Sequence, residues 1–133
     1  MYKLKEIKNY QVTRDLIFES ENTGITYTVF DDADITGTNQ FSFVRKGKKY
    51  HCKFKIFGEI NQNGEKFTVE GKRENIGHMK VNKLRNKDGD EFYFHLSEDY
   101  NSKTVKIDVR RLDLIAVNDV IHDRSIEAFV EEG

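Results

Sequence analysis

Apolar and polar positions alternate with a period of two along most of the chain. In KKYHCKFKIFGEI (residues 48–60), the apolar positions are Tyr50, Cys52, Phe54 and Ile56, and the intervening positions are His51, Lys53, Lys55 and Phe57. Successive side chains of a strand point to opposite faces of a sheet. The run is therefore predicted to be a half-buried strand whose second face is wet and mostly cationic.

The run EFYFHL repeats this pattern with aromatic residues. Phe92, Phe94 and Leu96 are expected to face the core, and Tyr93 and His95 are expected to face solvent. The same parity applied to the other strands gives a predicted core made of Phe54, Ile56, Phe67, Val69, Phe92, Phe94, Ile107 and Val109. A register error of one residue would exchange the two faces completely.

Turn signals separate about eight such runs. Asn63-Gly64 and Asp88-Gly89 tolerate positive φ and indicate hairpins, and ENTG marks another hairpin between DLIFES and ITYTVFDD. Short strands at this spacing, without a long helical pattern between them, predict an all-β fold: a small antiparallel barrel (OB-like) or a sandwich. We expect residues 1–133 to form a single all-β domain.

A short C-terminal helix is also predicted. Ile126, Phe129 and Val130 form a partial apolar stripe, Asp123 or Ser125 is a suitable N-cap, and the chain closes on a glycine.

Size and composition favour a cytoplasmic protein. The 133 residues are enough for a hydrophobic core, and the single cysteine, Cys52, excludes an internal disulfide. No signal peptide and no stretch of about 20 apolar residues is visible. We therefore predict a cytoplasmic location and no membrane partner.

Charge is unevenly distributed although the net charge is −1. Residues 1–41 carry 4 basic against 7 acidic side chains, residues 42–96 carry 13 against 7, and residues 97–133 carry 5 against 9. A basic middle thus lies between acidic ends. It indicates either a patch for an anionic partner or simply lysine-rich, solvated strand faces.

The sequence contains no strong catalytic, metal-binding or cofactor-binding motif, so we expect a non-enzymatic module without a cofactor. The four histidines are scattered, and none forms a pair with metal-ligand spacing. The acidic cluster of Asp31, Asp32 and Asp34 can hold a cation or simply end a strand, and the sequence does not decide between these alternatives.

The outward-facing set is the best candidate for a binding site. It combines cations with flat rings, as single-stranded nucleic-acid binders do, and its members are His51, Lys53, Lys55, Lys72, Tyr93, His95, Lys106 and Arg110. We predict a binding module, with single-stranded nucleic acid as the first candidate partner. The alternative is a protein–protein interaction module, such as an inhibitor, an immunity protein or an accessory protein of a mobile element.

Overall fold

Nine β-strands make up the secondary structure of the computed structural model, which describes residues 1–32 and 40–122. They are β1 (Tyr2–Asn9), β2 (Arg14–Ser20), β3 (Thr26–Asp31), β4 (Lys49–Tyr50), β5 (Cys52–Ile76), β6 (Met79–Arg85), β7 (Glu91–Phe94), β8 (Thr104–Val117) and β9 (Val120–Ile121). These residues contain no helix, which confirms the all-β prediction for this part of the chain. The C-terminal helix predicted around Ser125–Val130 lies outside the described residues.

The nine strands form one open, mixed sheet in the order β4-β1-β2-β3-β8-β5-β6-β7, with β9 beside β8. Strand β3 runs parallel to β8, with Val29 opposite Leu112, and β7 makes an additional parallel contact with β5. Within the part of the chain that is described, the end strands β4 and β7 do not pair with each other. The sheet is therefore open within the described residues, and the closure expected of the predicted small barrel is not found there.

The structure also differs from the prediction in β5, a single strand of 25 residues where the sequence predicts two strands joined by a turn. Ile60 and Glu65 both pair with Ile107 of β8, so the four residues between them bulge out of one continuous strand. The predicted turn needs positive φ at both Asn63 and Gly64, and neither residue has it. Gly64 instead permits close contact of two backbones, since a Cβ there would lie 2.3 Å from the Ile107 carbonyl carbon.

The other predicted hairpins are confirmed. Strands β2 and β3 pair antiparallel around a turn that contains Gly24 at φ 75°. Strands β6 and β7 pair antiparallel around a turn that contains Gly89 at φ 104°. Both glycines adopt the left-handed conformation that glycine reaches without steric cost.

The main core lies on one face of the sheet and confirms most of the predicted buried set. Five of the eight predicted residues are buried: Phe54, Ile56, Phe67, Phe92 and Ile107. The other three, Val69, Phe94 and Val109, are partly buried and pack against the same cluster. Strands β1 and β2 complete the cluster with Leu4, Leu16 and Phe18, each fully buried.

A second, smaller cluster lies on the other face of β7. It contains Ile76, Met79, Val81, Tyr93 and Ile115. Phe92 belongs to the main core and its neighbour Tyr93 to this second cluster. The sheet therefore buries side chains on both of its faces in this region.

Candidate binding site

The eight predicted binding residues do not form one surface. Three of them, His51, Lys53 and Tyr93, line one pocket, and Lys72 lines another. Lys55 lies opposite Asp113 of β8, and the His95 ring contacts the backbone of β6. Lys106 and Arg110 lie in the first half of β8. Along β8, Lys106 and Asp113 are seven residues apart, roughly 23 Å in an extended strand. The cations are thus too scattered to form one short anion-binding face.

Tyr93 is 5% exposed, so the prediction that its ring faces solvent is wrong. The parity itself holds, because Tyr93 and Phe92 contact different clusters. The prediction failed because it assumed that the face opposite the main core is exposed to solvent. Burial raises the pKa of Tyr93, and the Lys53 ammonium lies 5.8 Å from the centroid of its ring.

His51, Lys53 and Tyr93 come together in a cavity of about 430 Å³, which we name the hairpin pocket. The turn between β2 and β3 and the turn between β6 and β7 form its walls. Two residues outside the predicted set of eight, Arg85 and Asp90, also line it. No pattern in the sequence links these two residues to His51, because they meet only through pairing of distant strands.

Asp90 is the polar centre of the hairpin pocket, although it is only 3% exposed. Its carboxylate accepts hydrogen bonds from the hydroxyls of Ser20, Thr23 and Tyr27, each 2.6 Å long. Burial acts to raise the pKa of Asp90, but these hydrogen bonds outweigh it and hold the pKa below its ordinary value. The carboxylate therefore connects two hairpins and is fully engaged within the protein.

Arg85 is likewise engaged at the edge of the hairpin pocket. Its guanidinium donates to the Glu70 carboxylate at 2.6 Å, to the Gly89 carbonyl at 2.6 Å and to the Glu91 carboxylate at 3.3 Å. Lys53, which also lines this pocket, makes no ion pair within the described residues, so its ammonium is available to a ligand.

Lys55 faces a carboxylate rather than open solvent. It lies opposite Asp113 in the register of β5 and β8. Burial lowers the pKa of Lys55, and the nearby Asp113 partly opposes that shift. Burial also raises the pKa of Asp113, against the hydrogen bonds from Arg111. A phosphate would have to compete with this carboxylate for the Lys55 ammonium.

A row of three side chains crosses the neighbouring strands β3, β8 and β5 and includes an exposed aromatic ring. The guanidinium carbon of Arg111 lies 4.5 Å from the ring centroids of both Phe30 and Phe57. Arg111 also donates to the two Asp113 carboxylate oxygens, at 2.6 and 3.3 Å. We name Phe30, Arg111 and Phe57 the outer stack; the side chains of Arg111 and Phe57 are 42% and 43% exposed.

Sequence reasoning placed Phe57 in the outward set but did not assign it to the site. The available signal was an aromatic side chain at a position whose outward neighbours on the same strand are cations. Phe30 and Arg111 carried no comparable signal, since their contact with Phe57 depends on the order of three strands.

The acidic cluster at the end of β3 is partly engaged by other side chains of the protein. The Asp31 carboxylate accepts a hydrogen bond from Arg14 Nε at 2.8 Å, and Asp32 bonds the His122 ring. Asp34 lies outside the described residues. Among residues 1–32 and 40–122, no group of three side chains with metal-ligating atoms is assembled.

No protein-family model matches the chain, and no curated protein and no solved structure matches it either. Across the described ranges, the structure has no helix of the length and apolarity that a membrane span needs.

Proposed function

We propose that this chain is a non-enzymatic protein-binding module and that the outer stack is the centre of its binding surface. The observation that carries the proposal is the exposed arginine held between two phenylalanines on a sheet face. Aromatic residues and arginine are enriched among the side chains that dominate the energy of protein interfaces.

The outer stack is preorganised for binding. Arg111 is fixed by two ring contacts and by a two-point contact with Asp113. Ordering a flexible side chain opposes association, and here that ordering has already occurred in the folded protein. Arg111 Nη1 has no hydrogen-bond partner within the described residues, and it can donate to a carbonyl or carboxylate of a partner.

The charges around the outer stack favour a protein partner over nucleic acid. Arg110 lies 4.0 Å from both the Glu59 and the Asp108 carboxylates, and all three side chains are exposed. Carboxylates repel phosphates, whereas a rim of mixed charge matches a protein surface of complementary charge.

The partial burial of the single cysteine, Cys52, argues against nucleophilic chemistry at its sulfur. Burial raises the pKa of Cys52 to about 12. Its sulfur therefore stays protonated near neutral pH, and the thiolate is the reactive form.

The proposal is tested by capturing partners on the immobilised protein from the cytosol of the source cells, because the sequence predicts a cytoplasmic location. A captured protein is then purified and titrated directly. Arg111→Ala and Phe57→Ala should each weaken the complex by about 30-fold or more, as expected for central interface residues. Lys8→Ala, an exposed change on β1, should leave affinity unchanged. Equal affinity of all variants would reject the outer stack as the binding surface.

A second candidate is binding of single-stranded nucleic acid, and the observation that favours it is the meeting of His51, Lys53 and Tyr93 at the hairpin pocket. Fluorescence titration with labelled oligonucleotides at low salt tests it. Binding should weaken as salt rises, and Lys53→Ala should reduce the salt slope by about one unit or less. Lys55→Ala should change the slope less, because Lys55 lies beside Asp113. No binding at high micromolar protein would remove this candidate.

A further inference from the structure

A second cavity lies where β5 bulges against β6. The register of the two strands shifts between Glu70 and Glu74, and Gly71 at the start of this bulge has φ +63°. Glycine reaches that conformation without steric cost, so the bulge fits the sequence. We name the cavity, of about 350 Å³, the bulge pocket.

Hydrogen bonds hold the opposite wall of the bulge pocket, which is the loop of residues 97–103. The Val69 backbone N–H donates to the Lys103 carbonyl at 2.8 Å. The Arg73 guanidinium donates to the Leu96 carbonyl just before the loop. The loop is therefore tied to β5 on both sides of the cavity.

Three cations and one carboxylate line the bulge pocket. Lys72 and Lys103 are exposed and make no ion pair within the described residues. Arg73 Nη1 lies 3.6 Å from Glu98, whose side chain is 86% exposed, and such solvated pairs are weak. Three positive charges against one negative charge leave an excess of two.

Asn82 of β6 adds a neutral polar group to the lining. Its side-chain oxygen is buried and has no hydrogen-bond partner, and its amide makes no hydrogen bond within the part of the chain that is described. Burying a polar group without a partner costs stability. The side-chain nitrogen, Nδ2, is the atom that can donate to an anion in the cavity, because it has no hydrogen-bond partner among the described residues.

We propose that the bulge pocket binds a phosphate group, either as free phosphate or as the phosphate monoester of a modified protein. Lys72, Lys103 and Arg73 supply the positive charge, and Asn82 supplies a neutral donor. A phosphate group carries about −1.5 to −2 charges near pH 7, which matches the excess of two positive charges. This inference is independent of the outer stack, which lies on other residues.

The test is an NMR titration with inorganic phosphate at constant ionic strength, with chloride as the reference anion. The backbone amides of Gly71, Lys72 and Lys103 should shift and saturate. Combined Lys72→Ala and Lys103→Ala changes should weaken phosphate binding by at least about tenfold, since bonds between charged groups contribute that much. Lys8→Ala should leave it unchanged. Shifts that do not saturate, or that persist in the double variant, would overturn the proposal.

Asn82→Leu separates a ligand-binding role from a structural one. Because it removes an unpartnered buried oxygen, it should raise the melting temperature without phosphate while weakening phosphate binding. A lower melting temperature with unchanged phosphate affinity would contradict the role given to Asn82. Titration with phosphoserine distinguishes the sources: clearly tighter binding than phosphate identifies a modified protein, and equal binding identifies free phosphate.

Discussion

Tyr93 and Phe57 occupy equivalent positions in the alternation of two neighbouring strands, yet their environments are opposite. Each lies on the side of its strand that faces away from the main core. Tyr93 is 5% exposed and packs among the second cluster, whereas Phe57 is 43% exposed and contacts Arg111. Alternation therefore assigns a side chain to a face, but it does not determine whether that face is covered.

The cations beside these two rings also differ in their partners. The Lys53 ammonium lies over Tyr93 at the hairpin pocket and has no ion pair within the described ranges. The Arg111 guanidinium over Phe57 is held by Asp113. The first arrangement leaves a charge for a ligand, and the second produces a fixed, exposed surface suited to a protein partner.

The largest expected effect follows from the burial of Tyr93. Tyr93→Ala should lower the free energy of unfolding by about 3 kcal/mol, because it leaves a cavity in the second cluster. Chemical denaturation measures this change. Tyr93→Phe is the control, since it keeps the ring and should cost much less. A Tyr93→Ala protein as stable as wild type would mean that this face of β7 is exposed.

A smaller effect is expected at Asp90, which connects the two hairpins and so holds β7 where Tyr93 is buried. Asp90→Asn should cost about 2 kcal/mol near pH 7, because hydrogen bonds to a carboxylate are stronger than those to an amide. The pKa of Asp90 is lowered in the folded protein. The stability that the charged Asp90 side chain gives the fold is therefore complete above the ordinary carboxyl pKa of about 3.9. It is lost as the pH falls through the pKa of Asp90 in the folded protein.

Denaturation curves of wild type and Asp90→Asn at several pH values check this sign. The difference in the free energy of unfolding should shrink below about pH 4. A difference that stays constant down to about pH 2 would show that the hydrogen bonds to Asp90 do not stabilise its charged form.

The smallest effect on stability is expected at Phe57. Phe57→Ala should change the free energy of unfolding by less than about 1 kcal/mol, since it removes only an exposed ring and its contact with Arg111. The same substitution should greatly weaken a complex formed through the outer stack. Large destabilisation together with unchanged partner binding would reverse the contrast with Tyr93.

Much of the local structure was predictable from the sequence. Alternation located the main core through residues such as Phe54 and Phe92, and Gly24 and Gly89 occupy the turns where hairpins were expected. These features depend on the parity of a strand and on the conformational preference of a single residue. Both are encoded within a few neighbouring positions of the chain.

The site was less predictable. Lys53 and Tyr93 do lie together at the hairpin pocket, but Lys55 lies beside Asp113 and Lys72 belongs to the bulge pocket. The alternation places these side chains on the outward face of their own strands, but it does not tell which strand lies beside each of them. Cations that share a parity can therefore lie beside a carboxylate, a ring or a separate cavity.

The sequence by itself determined the all-β character of residues 1–32 and 40–122, two hairpin turns and the inward face of each main strand, because short-range alternation and backbone preferences are local. The tertiary structure alone decided that β5 continues through Asn63-Gly64, since Gly64 meets the backbone of Ile107, 43 residues further along the chain. It also decided that Tyr93 is buried, because Ile76 and Ile115 reach it from other strands. Whether a face is covered depends on contacts between distant segments, and no local pattern specifies them.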